Sequence, residues 1–246
     1  MILVGTCLKN EVGRVLKQWL DHASQWADGI VVLDDGSTDG SADLCREYDK
    51  VLEVHTQHLP RSEGRDRQTL WDLMMEHSPE WCVLLDADEI FEEDVSIPFL
   101  LSTVQSDFSG SLSFPMCHFW KSKTHYRIDG VWHPDRVLEE GRIVRGCKGL
   151  VYPSHVTEHV SNVPYRRVAA GYEYESLPIM RVPGIRIRHY SFIFDDDVHR
   201  AKYQERMQRN SDAYSWAHHI DPDANYEDGM QLLEWPDWWR DPYTLP

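Results

Sequence analysis

Residues 83–91, "VLLDADEIF", carry an apolar run, Val83 to Leu85, straight into three acids, Asp86, Asp88 and Glu89. A carboxylate buried without a partner is costly, so acids placed this way sit where a buried strand meets solvent or a cation. On this stretch alone a surface turn and a ligand site are both consistent. The surrounding pattern decides. "ILVGTCL" (2–8), "GIVVLDD" (29–35), "VLEVH" (51–55) and "WCVLL" (81–85) are short, continuous apolar runs that read as strands. Between the first two, Val12, Val15, Leu16, Trp19, Leu20 and Ala23 recur at helical spacing, with Asn10 as the expected cap. Residues 41–49 read as a short helix and 64–77 as an amphipathic one through Leu70, Leu73 and Met74. Strand–helix alternation with continuous apolar strands predicts a mostly parallel sheet covered on both faces.

After about residue 105 the pattern changes. "SLSFPMCHFW" and "RVLEEGRIVRG", the second turning at Glu140 and Gly141, read as antiparallel strands, and "GIRIRHYSF" as another. Residues 197–210 are helical in composition, with Asp195 to Asp197 at the end of the dipole that favours negative charge. The tail, with Trp235, Trp238, Trp239 and Tyr243, reads as irregular; its rings suit either stacking on a ligand or pinning the terminus to the core. The expectation is one α/β domain over 1–246, built from a half at 1–105 and a smaller antiparallel region at 106–246.

Bulk properties narrow the class. The 246 residues are 41% hydrophobic and 27% charged, which is ordinary for a globular chain with a real core. A net charge of −16 argues against unassisted binding to a nucleic-acid backbone or an anionic membrane. Five cysteines stand singly, which reads as reduced thiols, and no run approaches the roughly 20 apolar residues of a membrane span. Nothing at the start resembles a signal peptide, so a cytoplasmic location is expected.

In open parallel α/β sheets, ligands bind beyond the carboxyl ends of the strands. Asp34-Asp35 and Asp86-Ala87-Asp88 both fall at such ends. If the chain stays extended, Asp86 and Asp88 point the same way. Two converging carboxylates suit a hard divalent cation, Mg²⁺ or Mn²⁺, that would grip phosphates. "ILVGTCLKNE", "IVVLDDGSTDGS" and "VLLDADEIF", in this order, resemble the nucleotide-sugar half of family-2-like GT-A glycosyltransferases. The resemblance implies metal-dependent, inverting transfer of a sugar from a nucleotide diphosphate sugar, with a UDP-sugar favoured, to an unidentified acceptor hydroxyl. It implies that Cys7, Asn10, Asp35, Arg65 and Asp86 serve the nucleotide. Asp35 would contact the base, Asp86 the ribose or the metal's water shell, and Asp88 the metal directly.

Softer matches follow from the same likeness. "GRDRQ" stands where the family has an A-R-N stretch, which puts Arg65, or its neighbour Arg67, near the phosphates; Asp66 departs from that pattern. "IRHYSF" resembles a late strand that supplies a metal ligand, His189 here, although a core histidine is equally at home in a strand. Inverting transfer needs a base within reach of the acceptor hydroxyl. Glu158, between His155 and His159, and Asp135 of "HPDR" are the two candidates.

Other motifs fail on context. "HVTEH" fits the letters of a zinc-peptidase helix, but β-branched residues and flanking Pro153 and Pro164 disfavour the helix it needs. "DGSTDG" mimics the opening of a calcium loop, yet its twelfth position is Arg46 instead of a bidentate Glu. The alternative from another class is a binding module for nucleotide sugars or glycans that kept the fold and lost its base.

Overall fold

Six consecutive residues, Gly29–Asp34, are all buried, as are Trp81–Leu84, and this is what the apolar runs demand of a sheet covered on both faces. A computed structural model of the chain describes residues 1–92, 95–134, 141–147, 149–156, 161–168, 173–193 and 230–235. Strands β1 (Ile2–Leu8), β2 (Gly29–Asp34), β3 (Val51–Thr56) and β4 (Trp81–Leu84) run parallel in the order 3-2-1-4. Helices α1 (Leu16–Trp26), α2 (Ser41–Arg46) and α3 (Glu63–Glu76) connect them.

Side-chain alternation divides these strands between two cores. Val4, Ile30, Val32 and Val83 pack in one cluster with Leu16, Trp19, Leu20 and Ala23 of α1. Leu3, Val31, Leu33, Cys82 and Leu84 pack in the other with Leu70, Trp71 and Met74 of α3. Each fully buried Val, Leu, Ile or Met among them contributes about 1.5–3 kcal/mol. Gly5 lets α3 approach β1, since a Cβ there would lie 2.3 Å from the Met74 sulfur.

One expected boundary shifts. Helix α1 begins at Leu16, with Val15 at its cap position and no capping side chain. Gly13 sits at φ +80° and Asn10 at φ +55°, so residues 10–14 cannot belong to the helix, and Asn10 is not its cap. The apolar period continues through Val12 only by coincidence of a loop side chain.

The later elements are β5 (Glu89–Phe91), α4 (Ile97–Thr103), β6 (Ser111–Ser113), β7 (Met116–Trp120), β8 (His125–Arg127), β9 (Gly141–Arg145), β10 (Leu150–Val151), β11 (Tyr165–Val168), β12 (Glu173–Glu175), β13 (Ile179–Arg181), β14 (Ile187–Phe192) and β15 (Leu232–Glu234). The run "SLSFPMCHFW" is two strands in two sheets, because Pro115 has no N–H to continue a ladder. Strand β9 lies antiparallel between β4 and β6 and extends the first sheet to seven strands, β13-β6-β9-β4-β1-β2-β3. A second sheet, β15-β8-β7-β14-β5, stands beyond the end of β4, and β10-β11-β12 form a third. Trp235 is buried against Phe119 and Tyr126, which pins this part of the tail to the core. Trp238, Trp239, Tyr243 and the helix expected over 197–210 lie outside the described residues.

Candidate functional site

The loop after β2 is a hydrogen-bonded knot. Asp34, fully buried, accepts the Ser37 N–H at 3.1 Å, and Gly36 (φ +73°) and Gly40 (φ +91°) take the left-handed turns that side chains disfavour. Asn10 accepts the Thr38 N–H at 2.8 Å and donates its own N–H to the Ser37 hydroxyl at 2.9 Å. Ser41 accepts from the Glu11 and Val12 N–H groups, and its hydroxyl donates to Asp39 at 2.6 Å. Burial would raise the Asp39 carboxyl, but the bonds from Ser41 and the Val12 N–H outweigh it and hold it below the usual carboxylate range. The D-D-G-S-T-D-G-S pattern therefore clamps the β1 and β2 loops together, with the Asn10 side chain as part of the clamp.

Asp35, just past β2, is half-buried. Its carboxylate is 3.8 Å from the Lys9 ammonium and 3.4 Å from the Gln57 side-chain amide nitrogen. The same Gln57 nitrogen donates to Asp66 at 2.8 Å. Asp66, 7% exposed, also accepts from the Ser62 N–H and from Nε and Nη2 of Arg65. Both neighbours of the amide are carboxylates, which only accept, so its NH₂ must face them. Arg65 donates further to the Pro60 carbonyl at 2.6 Å, which commits its guanidinium to the α3 entrance.

Arg67 takes the position nearer the second acid cluster. It lies 3.7 Å from Asp86 and 3.2 Å from Glu63. Burial works against its charge, yet Asp86 and Glu63 more than offset this and strengthen its hold on the proton. Cys7 sits beside this group; burial, opposed by the Arg67 charge, pushes its thiol up to about 12, so it is neutral.

The stretch 83–91 does not stay extended. After β4 the chain turns through Asp86 to Glu89, closed by the Glu89 N–H donating to the Asp86 carbonyl at 2.9 Å. Strand alternation therefore does not set the two aspartates. Asp86, 44% exposed in its side chain, faces Arg67, while Asp88, 14% exposed, faces His189 with 3.8 Å between Oδ1 and Nε2. The turn is held from beneath: Glu89 accepts two hydrogen bonds from Arg142 of β9, at 2.8 and 2.9 Å, and one from the Asp86 N–H at 3.3 Å. Burial, with Asp86 and Asp88 nearby, raises the Glu89 carboxyl to about 7 against the pull of Arg142.

The divalent cation implied by the sequence can be weighed against this donor set. No group of three His, Cys, Asp or Glu residues forms a metal site among the described residues. Asp88 and His189 are an oxygen–nitrogen pair that fits Mn²⁺ better than Mg²⁺, which prefers oxygen donors throughout, with diphosphate and water completing the shell. Asp135 and Glu158 lie outside the described residues. The chain leading to Glu158 is anchored by the Gly64 N–H, which donates to the Val156 carbonyl at 3.0 Å. Gln57, Arg142 and His118, the last opposite His189, were not read as site residues. The signal available was a charge or a polar ring inside an apolar strand, Arg142 in "RIVR" and His118 in "MCHFW", each of which needs a buried partner.

A model of glycosyl transferase family 2 matches residues 4–170, more than half of the chain. Two curated relatives, uncharacterized proteins Rv3786c of Mycobacterium tuberculosis and Mb3815c of Mycobacterium bovis, are 25% identical over 195 residues, covering 70% of this chain and 47% of theirs. The chain thus spans about half the length of the curated relatives it matches. Among solved structures, S. aureus TarS is similar with a TM-score of 0.53 at 13% identity, over 93% of this chain and 41% of TarS. TarS 1–349 in complex with UDP gives 0.52 at 13% identity, over 93% and 67%. The shared feature is the fold, a GT-A-like α/β arrangement with a mixed seven-stranded sheet.

Proposed function

The chain belongs to glycosyl transferase family 2, and from that premise we propose that it transfers a sugar, with inversion, from a nucleotide diphosphate sugar to an acceptor hydroxyl. The observation that carries this reading is the gathering of Asp35, Arg67, Asp86, Asp88 and His189 beyond the carboxyl ends of β1, β2 and β4. A uridine diphosphate donor fits the arrangement at Asp35. Its carboxylate accepts, and the Lys9 ammonium beside it donates, a pair that complements the adjacent N–H and C=O of uracil. That TarS 1–349 is solved in complex with UDP supports the same nucleotide.

Each side chain has a task in this scheme. Gln57 holds Asp35 in place, and Asp86, tied to Arg67, stands where a ribose hydroxyl could be bound. Arg67 keeps a fixed positive charge beside the diphosphate. Asp88 and His189 would hold Mn²⁺ or Mg²⁺, which when bound would neutralise the departing diphosphate. Residues 1–105, joined by His189, serve the donor, and the rest of 106–246 shapes the acceptor side. Glu158 or Asp135 takes the acceptor proton on the face opposite the leaving group.

Calorimetry of UDP with and without Mn²⁺, together with release of free UDP from a UDP-sugar and acceptor, tests this reading. Tighter binding with Mn²⁺, lost in Asp88→Asn, is expected. Equal affinity with and without the metal, or normal binding by the variant, would refute metal-assisted donor binding. Binding without turnover across acceptors would favour a module that only binds.

A further inference from the structure

Strand β14 runs parallel to β7 with His189 directly opposite His118. Their rings are 4.8 Å apart and nearly perpendicular, and their Nδ1 atoms are 2.7 Å from each other. Two imidazole nitrogens at this distance share one hydrogen, so one donates and the other accepts. Packing fixes both rings. His118 is buried, edge-on to Trp132 at 5.1 Å, and His189 is edge-on to Phe192 at 5.7 Å. The remaining nitrogen of His189, Nε2, is the one that faces Asp88 at 3.8 Å.

We propose that His118 is a positioning residue for the metal site: it accepts the Nδ1 hydrogen of His189 and so leaves the Nε2 lone pair facing the cation held with Asp88. The inference rests on the donor-and-metal reading above and adds a residue to it. A ligating imidazole nitrogen carries no hydrogen, so in neutral His189 the hydrogen must be on Nδ1. An enclosed N–H there needs an acceptor, and the β7–β14 register puts the Nδ1 of His118 in that place. His118 must then carry its own hydrogen on Nε2. The opposite assignment, with His118 donating, would put the His189 hydrogen on Nε2, toward Asp88, and make His189 useless as a ligand. The geometry thus ties a ligand's competence to the tautomer of a residue that touches neither metal nor substrate.

Binding of Mn²⁺ to the full chain, followed by the electron paramagnetic resonance of free Mn²⁺ at one mildly alkaline pH with UDP present, is the test. His118→Phe keeps the ring volume and removes the acceptor; it should weaken Mn²⁺ binding about 10- to 100-fold. His118→Asn, whose amide oxygen can stand near the Nδ1 position, should recover affinity to within about threefold of the parent. In nitrogen-15 spectra with Mg²⁺ and UDP, His189 should carry its hydrogen on Nδ1 and His118 on Nε2. A folded His118→Phe with unchanged Mn²⁺ affinity, no recovery in His118→Asn, or the reversed tautomers would each overturn the proposal. If the parent chain itself binds no Mn²⁺, the metal reading fails and takes this inference with it.

Discussion

Replacing Arg142 by Leu should expose how much of the site's geometry depends on one buried ion pair. Arg142 and Glu89 are 5% and 2% exposed in their side chains and joined by two hydrogen bonds of 2.8 and 2.9 Å. Removing one partner of such a pair costs about 3–5 kcal/mol, because the other is left in the core without its counter-charge and must stay charged there or take up a proton. For a chain of this length about 1 kcal/mol shifts Tm by roughly 2–4 °C, so a fall of roughly 6–20 °C is expected. The pH dependence gives a second handle. Burial already raises Glu89 from 4.5 to about 7, so folding holds an extra proton in that window, and this contribution to stability declines as pH rises through it. Without the Arg142 charge the folded value moves higher still, and the decline extends to higher pH. The deficit of Arg142→Leu should therefore be larger just above neutrality than near pH 6. Thermal melts followed by circular dichroism at both pH values measure this. The double variant Glu89→Leu with Arg142→Leu should recover most of the stability, since removing both charges is far cheaper than removing one. It should still bind donor poorly, because the Asp86 N–H loses its anchor. A Tm within about 2 °C of the parent for Arg142→Leu would refute the argument, since a shift that small corresponds to no more than about 1 kcal/mol.

Other expectations are narrower. Asp35→Ala should weaken UDP about 10- to 100-fold, the worth of a hydrogen bond to a charged group, and bring UDP and CDP close together in calorimetry. Gln57→Leu should do the same to a smaller degree by releasing Asp35. Gly64→Ala would put a Cβ 2.2 Å from the Pro153 carbonyl oxygen, a backbone atom, so a loss of about 1–3 kcal/mol is expected in denaturant melts. Between Glu158→Gln and Asp135→Asn, the variant that removes the base should lose 10²–10⁴-fold, in order of magnitude, in turnover with donor affinity intact. Equal, near-normal turnover in both would remove each from the mechanism.

The first hundred residues were legible because local chemistry and global fold agree there. Continuous apolar runs such as "GIVVL", short, rich in β-branched residues and alternating with helical segments, read as strands buried on both faces, and the acids at their ends mark where burial stops. The D-D-G-S-T-D-G-S loop was readable for the same reason, since its glycines and short polar side chains make local turns and caps. Asn10 looks like a helix cap in the sequence because a loop clamp and a cap use the same acceptor oxygen; its partner, Thr38, lies 28 residues away. Nor could spacing tell that "DADE" turns instead of extending. That turn is held by Arg142, 53 residues on, and it separates Asp86 from Asp88, sending one to Arg67 and the other to His189. The pairing of His118 with His189 depends on a parallel register between strands 71 residues apart. Chain composition and periodicity thus determined which segments are buried and where the acids emerge, because burial is a local pattern. Which nitrogen meets which carboxylate was decided only by long-range packing, because hydrogen bonds between distant strands leave no periodic trace in the chain.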